Sequence, residues 1–494
     1  MSAAADLRAN DCGRGASRRT ELFFWSVVGV GLVGLIWSMA CAVPGVPWNP
    51  ARLAPSFALA RGLPIYAVRE TGAHLGWIYG PVFPLWYLPF GLLDNPTLAL
   101  VLSAGWNALT IIVPVGFVLW AVFRAQAGVV VRVTFCGILL LFANPTTLAG
   151  FYFLHVDAVC VACVLAACVA LHARVWRAWR AGLPMAAIAV ALAIATKQLA
   201  VIFVPASIVW LWREGHGRLV RAWLFWLVVC GGGLAVVFLF AFGTEELVFN
   251  LYCFHARNPW QGTWALLGAR VLEMAADSWV WVTVGVIVML VVRSRQRALL
   301  GPPAGSMIRL LGWAALWQLP VGLIATLKVG GGLNSVHALS YALVAGLIVL
   351  GEALTKHDAE QRIGQGQFRT IWLLPGIVGL LVMIIGIRLV SQRNVVFLPD
   401  RGLEQLVAES TANPGKRYYP WNPLITILSD RKVYPFDDAL KCLWIAQLEP
   451  PVEAIRAAIP TGAVIFYQEP SQSKFVLNYL SPELRPAAFP KREP

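Results

Sequence analysis

Residues 184–212 read PMAAIAVALAIATKQLAVIFVPASIVWLW, and Lys197 is the one charged side chain among them. A stretch this long and this apolar belongs in a bilayer, where about 20 apolar residues cross a ~30 Å hydrocarbon layer. Both flanks are basic, with Arg174, Arg177 and Arg180 before it and Arg213, Arg218 and Arg221 after it. Basic loops are held on the cytosolic side. A segment that starts and ends there must enter the membrane and return. Two short helices turning near Lys197 satisfy both flanks. One long tilted span, with a different count elsewhere, is the alternative.

The same pattern extends in both directions. Apolar runs at 22–43, 98–123, 133–149, 156–173, 184–197, 198–212, 222–242, 278–292, 310–327, 336–354 and 371–390 give eleven candidate spans. An odd number puts the termini on opposite sides. The loops assigned inside carry 19 basic residues and the alternate loops 7, which predicts a cytoplasmic N-terminus and an extracytoplasmic segment 391–494. A cleaved signal peptide is the rival reading of 22–43, but its apolar run exceeds the usual ~7–15 residues. Segment 80–93, GPVFPLWYLPFGLL, is short and proline-rich. It reads as a helix lying in or dipping into the outer interface.

Composition closes off other classes. Of the 494 residues, 59% are hydrophobic and 13% charged, against about a quarter charged in soluble domains. A cytosolic enzyme and a secreted disulfide scaffold are excluded. The net charge of +14 is carried by arginines clustered between apolar runs, so it is a topology signal and not a nucleic-acid footprint. The cysteines follow suit: Cys136, Cys160, Cys163, Cys168 and Cys230 fall inside spans as small packing residues. Only Cys253 and Cys442 are expected outside. Gly29-Val30-Gly31-Leu32-Val33-Gly34 fits G-x-G-x-x-G but sits mid-span with no strand before it, a helix-packing surface. No P-loop, H-E-x-x-H or G-x-S-x-G occurs.

Residues 391–494 change character and hold 11 of the 25 acidic residues. Val452–Ile459 reads as a helix, 463–467 as a strand and Lys474–Leu480 as another. The expected architecture is therefore a polytopic α-helical membrane domain over 1–390, with a long first outer loop at 44–79, and a small extracytoplasmic α/β domain over 391–494 that leans on it.

Ionisable residues at membrane depth are expensive and mark function by default. Here they collect on the outer side. Loop 44–79 carries Arg52, Arg61, Arg69, Glu70 and His74; His155-Val156-Asp157 opens the fourth span; loop 243–277 holds His255 and Arg257; Lys328 precedes a run of three glycines. Transfer of a group from a membrane-bound phosphate ester suits such a face. It needs a carboxylate to take the acceptor's proton and cations to hold the leaving phosphate, and arginine and lysine both bind phosphate.

Several stretches resemble the GT-C glycosyltransferases. The basic tail, first span and long outer loop ending in Trp77–Leu85 (WIYGPVFPL) resemble their opening; Ala58–Tyr66 (ALARGLPIY) is similar to a family L-x-x-G-x-x-x-Y pattern. Leu192–Gln198 (LAIATKQ) is similar to the family's A-x-x-T-K segment, and Lys328–Asn334 (KVGGGLN) to its K-x-G-G-x-x-N. Tyr418–Leu424 and Val433–Asp438 look like the outer domain of bacterial members. The resemblance implies an integral-membrane transferase that uses a polyprenyl-phosphate sugar at the outer face, with an acid in the first outer loop. This chain departs there. Trp48-Asn49-Pro50 stands where the acid is expected, and an asparagine cannot act as a base.

The candidate bases are Asp157, whose alternative role is to cap the fourth span, and Glu70, whose alternative is a solvated partner of Arg69. Lys328, Lys197, Arg52, Arg257, His155 and His74 are the candidates for substrate or phosphate binding. For the two lysines the bland alternative is snorkelling to the interface. No metal site is legible, and the metal requirement stays open. The expected partners are membrane lipid and a lipid-linked sugar donor, in a bacterial-type inner membrane. Two rival functions stand beside the transferase: a non-enzymatic carrier flippase, and a degenerate transferase that binds lipid-linked sugar without reacting.

Overall fold

A computed structural model describes residues 48–123, 154–273, 303–329, 333–336, most of 341–350, 353 and 402–466. The candidate spans 22–43, 133–149, 278–292 and 371–390, and the strand at Lys474–Leu480, lie outside the described residues. Four of the described helices are long and apolar enough to cross a membrane.

Where the sequence reads as an outer loop, a helix begins. Helix α1 (Trp48–Ala60) buries Leu53, Ala54, Phe57 and Ala58. Two short helical turns follow, α2 (Val82–Trp86) and α3 (Leu88–Gly91), in the segment read as interfacial. Prolines at 81, 84 and 89 keep them short, because each removes a backbone donor. Phe83 and Tyr87 are fully buried, so this segment is packed into the bundle as well as punctuated.

The long helix α4 (Pro96–Phe123) and the hairpin α5 (Val156–Arg177) and α6 (Gly182–Thr196) form the centre of the bundle. Helix α5 begins at His155, whose ring nitrogen accepts from the Asp157 amide. The cap is thus His155, and Asp157 occupies the first turn, where a carboxylate is favoured by the helix dipole. The α5–α6 turn is tight: Ala178 ends α5 in the left-handed region, φ 51°.

After α6 the chain breaks at Lys197, in extended conformation, and continues as a 3-10 turn (Gln198–Ile202) into α7 (Phe203–Arg213). The hairpin reading of 184–212 is what the structure contains. Helix α8 (Gly217–Phe242) packs on α6 and α7 but leaves most of its surface uncovered. Short helices α9 (Thr244–Val248) and α10 (Phe254–Arg257), joined by a π turn, make up the next loop. Helix α11 (Ala304–Thr326) closes the bundle against α7, and Lys328 pairs as an antiparallel bridge with Trp260.

Residues 402–466 hold α12 (Leu403–Thr411), β1 (Arg417–Tyr418), α13 (Pro423–Ser429), α14 (Asp437–Ile445), α15 (Val452–Ala458) and β2 (Val464–Ile465). The strands pair in parallel, Arg417 opposite Val464 and Tyr418 opposite Ile465. This segment shares its core with the first outer loop: Leu424, Ile425 and Ile427 join the same apolar cluster as Leu53 and Phe57. Contact is close at Gly76, φ 64°, where an added Cβ would meet the Ala439 Cβ at 2.7 Å. Cys253 and Cys442 are free thiols packed on one small cluster with Phe254 and Leu443.

Candidate functional site

Three side chains from two helices converge at one end of the α5–α6 hairpin. Lys197 Nζ donates to Asp157 Oδ1 at 2.5 Å, with both residues buried. The His155 ring nitrogen Nδ1 lies against the other carboxylate oxygen. The sequence arranges this by geometry alone. Asp157 sits in the first turn of α5, Lys197 terminates the antiparallel α6, and the short turn at the far end returns the chain to the same level.

A segment of the first outer loop runs across the top. Tyr79 packs edge-on to His155 at 5.8 Å between ring centroids, and the Arg52 guanidinium lies 5.5 Å from the Tyr79 ring and 5.9 Å from that of Trp48. The Tyr66 hydroxyl donates to the Tyr79 carbonyl at 2.7 Å. Gly80 follows, its amide donating to the Thr196 carbonyl. An added Cβ at Gly80 would lie 1.6 Å from the Ala195 carbonyl oxygen, so no side chain fits.

The third contribution comes from the loop after α8. The His255 ring donates to the Ile78 carbonyl at 2.9 Å, and Lys328 Nζ donates to the His255 carbonyl at 2.6 Å while lying 4.8 Å from the Trp260 ring centroid. Burial, aided by the positive charges of Lys328 and Lys197, holds the His255 imidazole below its usual range despite its bond to Ile78. On the outer-domain side, burial raises the Asp438 carboxyl, opposed by the facing charges of Arg52 and Lys441. Residues 77–80 therefore act as a hub between four chain segments.

Below Asp157 and Lys197 an apolar cleft runs between α5, α7 and α11, with Val164, Leu165, Phe203 and Leu311 on its walls. Gln318, in the middle of α11, also faces it and donates to the Ser335 carbonyl at 2.9 Å. Asp157 and Lys197 line the charged end of this narrow cleft, whose free volume is about 30 Å³.

Of the residues singled out by sequence, the structure brings together Asp157, His155, Lys197 and Arg52, with Lys328 linked to them through His255 and the Ile78–Tyr79 stretch. It leaves three others apart. Glu70 is exposed on a turn, and Arg257 is exposed at the end of α10. His74 is buried 2% exposed against Phe249, and its carbonyl accepts from the Phe436 amide of the 402–466 segment. Asn49 is buried and its side-chain oxygen accepts from the Leu154 amide at 2.9 Å, which fixes the chain entering α5. His255, Tyr79 and Asp438 were not chosen as site residues from sequence; a lone histidine or aspartate in an outer loop carries no spacing signal. Gln318 had one, a polar group in mid-span. Among the described residues no group of three His, Cys, Asp or Glu side chains is close enough to hold a metal ion.

The described residues form a helical bundle, four of its helices long and apolar enough to cross a membrane, with a charged cluster at one end, and this fold is shared with solved structures. Two solved structures carry the comparison. ArnT from Cupriavidus metallidurans bound to undecaprenyl phosphate superposes with a TM-score of 0.55 at 13% identity, covering 93% of this chain and 95% of that one. Its apo state gives a TM-score of 0.52 at 13% identity, over 89% and 92%. No protein-family model and no curated protein matches the chain.

Proposed function

We propose that this chain is a membrane-embedded glycosyltransferase that moves a sugar from a polyprenyl-phosphate carrier to a hydroxyl acceptor at the extracytoplasmic face. The observation that carries the reading is the Asp157–Lys197–His155 cluster set at the mouth of an apolar cleft. The likeness of fold to ArnT, a structure of which holds undecaprenyl phosphate, supports the carrier class. In this reading the N-terminus is cytoplasmic, residues 1–390 form the membrane part and 391–494 the outer domain.

Asp157 takes the acceptor's proton as the glycosidic bond forms. Its burial beside Lys197 and the His155 ring favours it over Glu70, which lies in solvent. Lys197 and Arg52 hold the departing phosphate, with Lys328 supporting them through His255. The developing negative charge on the phosphate draws Lys197 away from Asp157, which frees the carboxylate as the leaving group needs its cation. The prenyl chain enters between α5, α7 and α11, and these helices part to admit it, since the cleft between them has only about 30 Å³ free.

A second reading has one observation in its favour. Asn49 stands where related transferases are expected to carry an acid, and its amide is committed to the Leu154 backbone. A chain lacking that acid binds the lipid-linked sugar without transferring it. Incubation of the purified protein with a radiolabelled polyprenyl-phosphate sugar and a membrane extract separates the two. Transfer abolished by Asp157→Asn and kept by Glu70→Gln is the expected result. Carrier binding without transfer or hydrolysis establishes the binder instead.

A further inference from the structure

At the opposite end of α5, some 30 Å from Asp157 by helix rise, the turns after α5 and after α7 enclose an open cavity of about 790 Å³. Arg174, Trp212, His216, Arg218 and Leu219 line it. Six arginines (174, 177, 180, 213, 218, 221) and one acid, Glu214, occupy these turns and their flanks. That acid is already matched. Arg309 of α11 grips both its oxygens, Nε to Oε1 at 2.6 Å and Nη2 to Oε2 at 3.1 Å. Arg177 is likewise committed, donating to the Ala121 carbonyl at 2.6 Å and stacking on Trp120. Arg174 makes a long bond, 3.4 Å, to the Ala178 carbonyl, and among the described residues neither Arg174 nor Arg218 has a carboxylate partner. The cavity also meets the start of α8, where the Leu219 amide donates to the His216 carbonyl at 2.8 Å.

The surface beside the cavity is apolar and uncovered. Arg218, Arg221, Phe225 and Val228 follow one another on the same stripe of α8 at three- and four-residue spacing. Phe225 is 60% and Val228 74% exposed. Trp176, Trp179 and Trp212 stand exposed around the rim, where tryptophan marks the membrane–water interface. A basic, polar-topped cavity runs directly into an apolar track in the order that a phospholipid presents its parts.

We propose that this cavity binds the phosphate headgroup of an anionic glycerophospholipid, Arg174 and Arg218 contacting the phosphate and the acyl chains lying along Phe225 and Val228. The arginine bias of the loops places it in the cytosolic leaflet, away from the pocket at Asp157. The site is independent of the transferase reading, because none of its residues belongs to that pocket.

The test is a thermal-unfolding titration of the full-length protein in detergent with phosphatidylglycerol, phosphatidylcholine or inorganic phosphate, read by native mass spectrometry for retained lipid. Phosphatidylglycerol is expected to raise the midpoint and stay bound, with an apparent Kd weakened about fivefold for each arginine removed in Arg174→Gln and Arg218→Gln. Phe225→Gln is expected to weaken it with no change in charge, and Arg180→Gln, outside the cavity, to leave it unaltered. Equal binding of phosphatidylcholine overturns the proposal. So does inorganic phosphate matching the lipid, or an Arg174→Gln/Arg218→Gln protein that retains phosphatidylglycerol like the parent.

Discussion

Lys197 Nζ and Asp157 Oδ1 are 2.5 Å apart although forty residues separate them in sequence, and neither side chain is more than a tenth exposed. Removing one partner of such a pair leaves the other charge buried and uncompensated, at a cost of about 3–5 kcal/mol. Lys197→Met is therefore expected to lower thermal stability sharply, and Asp157→Asn/Lys197→Met to recover much of the loss. Unfolding of the three proteins in the same detergent measures it. A double variant as weak as the sum of the singles contradicts the pairing.

Glu70 and Asp157 are the two carboxylates the sequence offers as a base, yet only Asp157 is enclosed. Glu70→Gln is expected to change stability by less than ~0.5 kcal/mol, as for other exposed sites, and to keep transfer near the parent rate. Asp157→Asn is expected to lower turnover by roughly a hundredfold or more, the usual scale for loss of a general base. The ratio of the two rates decides between the carboxylates.

Asn49 acts through its carbonyl oxygen, not through its chemistry. Asn49→Ala orphans the buried Leu154 amide and is expected to cost about 1–3 kcal/mol. Asn49→Leu keeps the side-chain volume but also lacks the acceptor, and is expected to cost about as much as Asn49→Ala. Comparison of the two melting temperatures tests whether the hydrogen bond, and not the residue's volume, is what matters.

Gly80 lies against the end of α6 with no room for a methyl group. Gly80→Ala is expected to push residues 78–80 off Ala195 and displace Tyr79 from His155. A loss of about 1–3 kcal/mol is the scale for overpacking, with turnover falling by more than stability alone accounts for. Unchanged turnover in a folded Gly80→Ala protein rules out Tyr79 as part of the pocket.

His74 predicts a pH dependence. Burial lowers its imidazole from 6.5 to about 4, so the folded protein holds it neutral while the unfolded chain protonates first. Stability from this group is fully present above pH 6.5 and is lost as pH falls from there through about 4, by up to ~3 kcal/mol. Its ring packs on Phe249 and its backbone on Phe436, so the loss weakens the seam between the first outer loop and residues 402–466. Denaturant titrations across that pH range, repeated on His74→Gln, are expected to show a flatter acid limb in the variant.

Particular elements show which features were legible in advance. The break at Lys197 was readable because two basic flanks cannot bracket one short span, and α5, α6, α7, α8 and α11 sit where their apolar runs lie. Helix α1 was not readable. Its proline, its amphipathic weakness and its place after a span all suggest a loop, and what makes it helical is burial of Leu53 and Phe57 against the 402–466 segment. Glu70 and Arg257 looked as suitable as Asp157 and Arg52, because composition records a charge but not the direction in which its loop folds.

From sequence alone this chain was committed to the bilayer and to an arginine-weighted side and a polar side, with 184–212 left as either two short helices or one long tilted span. Hydrophobic run length and basic flanks set those features locally, without reference to distant residues. Which ionisable groups meet was settled only when α5 and α6 packed antiparallel and Gly80 let the outer loop descend onto them. Those contacts join residues as far as 177 positions apart, as between the His255 ring and the Ile78 carbonyl, through packing that no local pattern encodes.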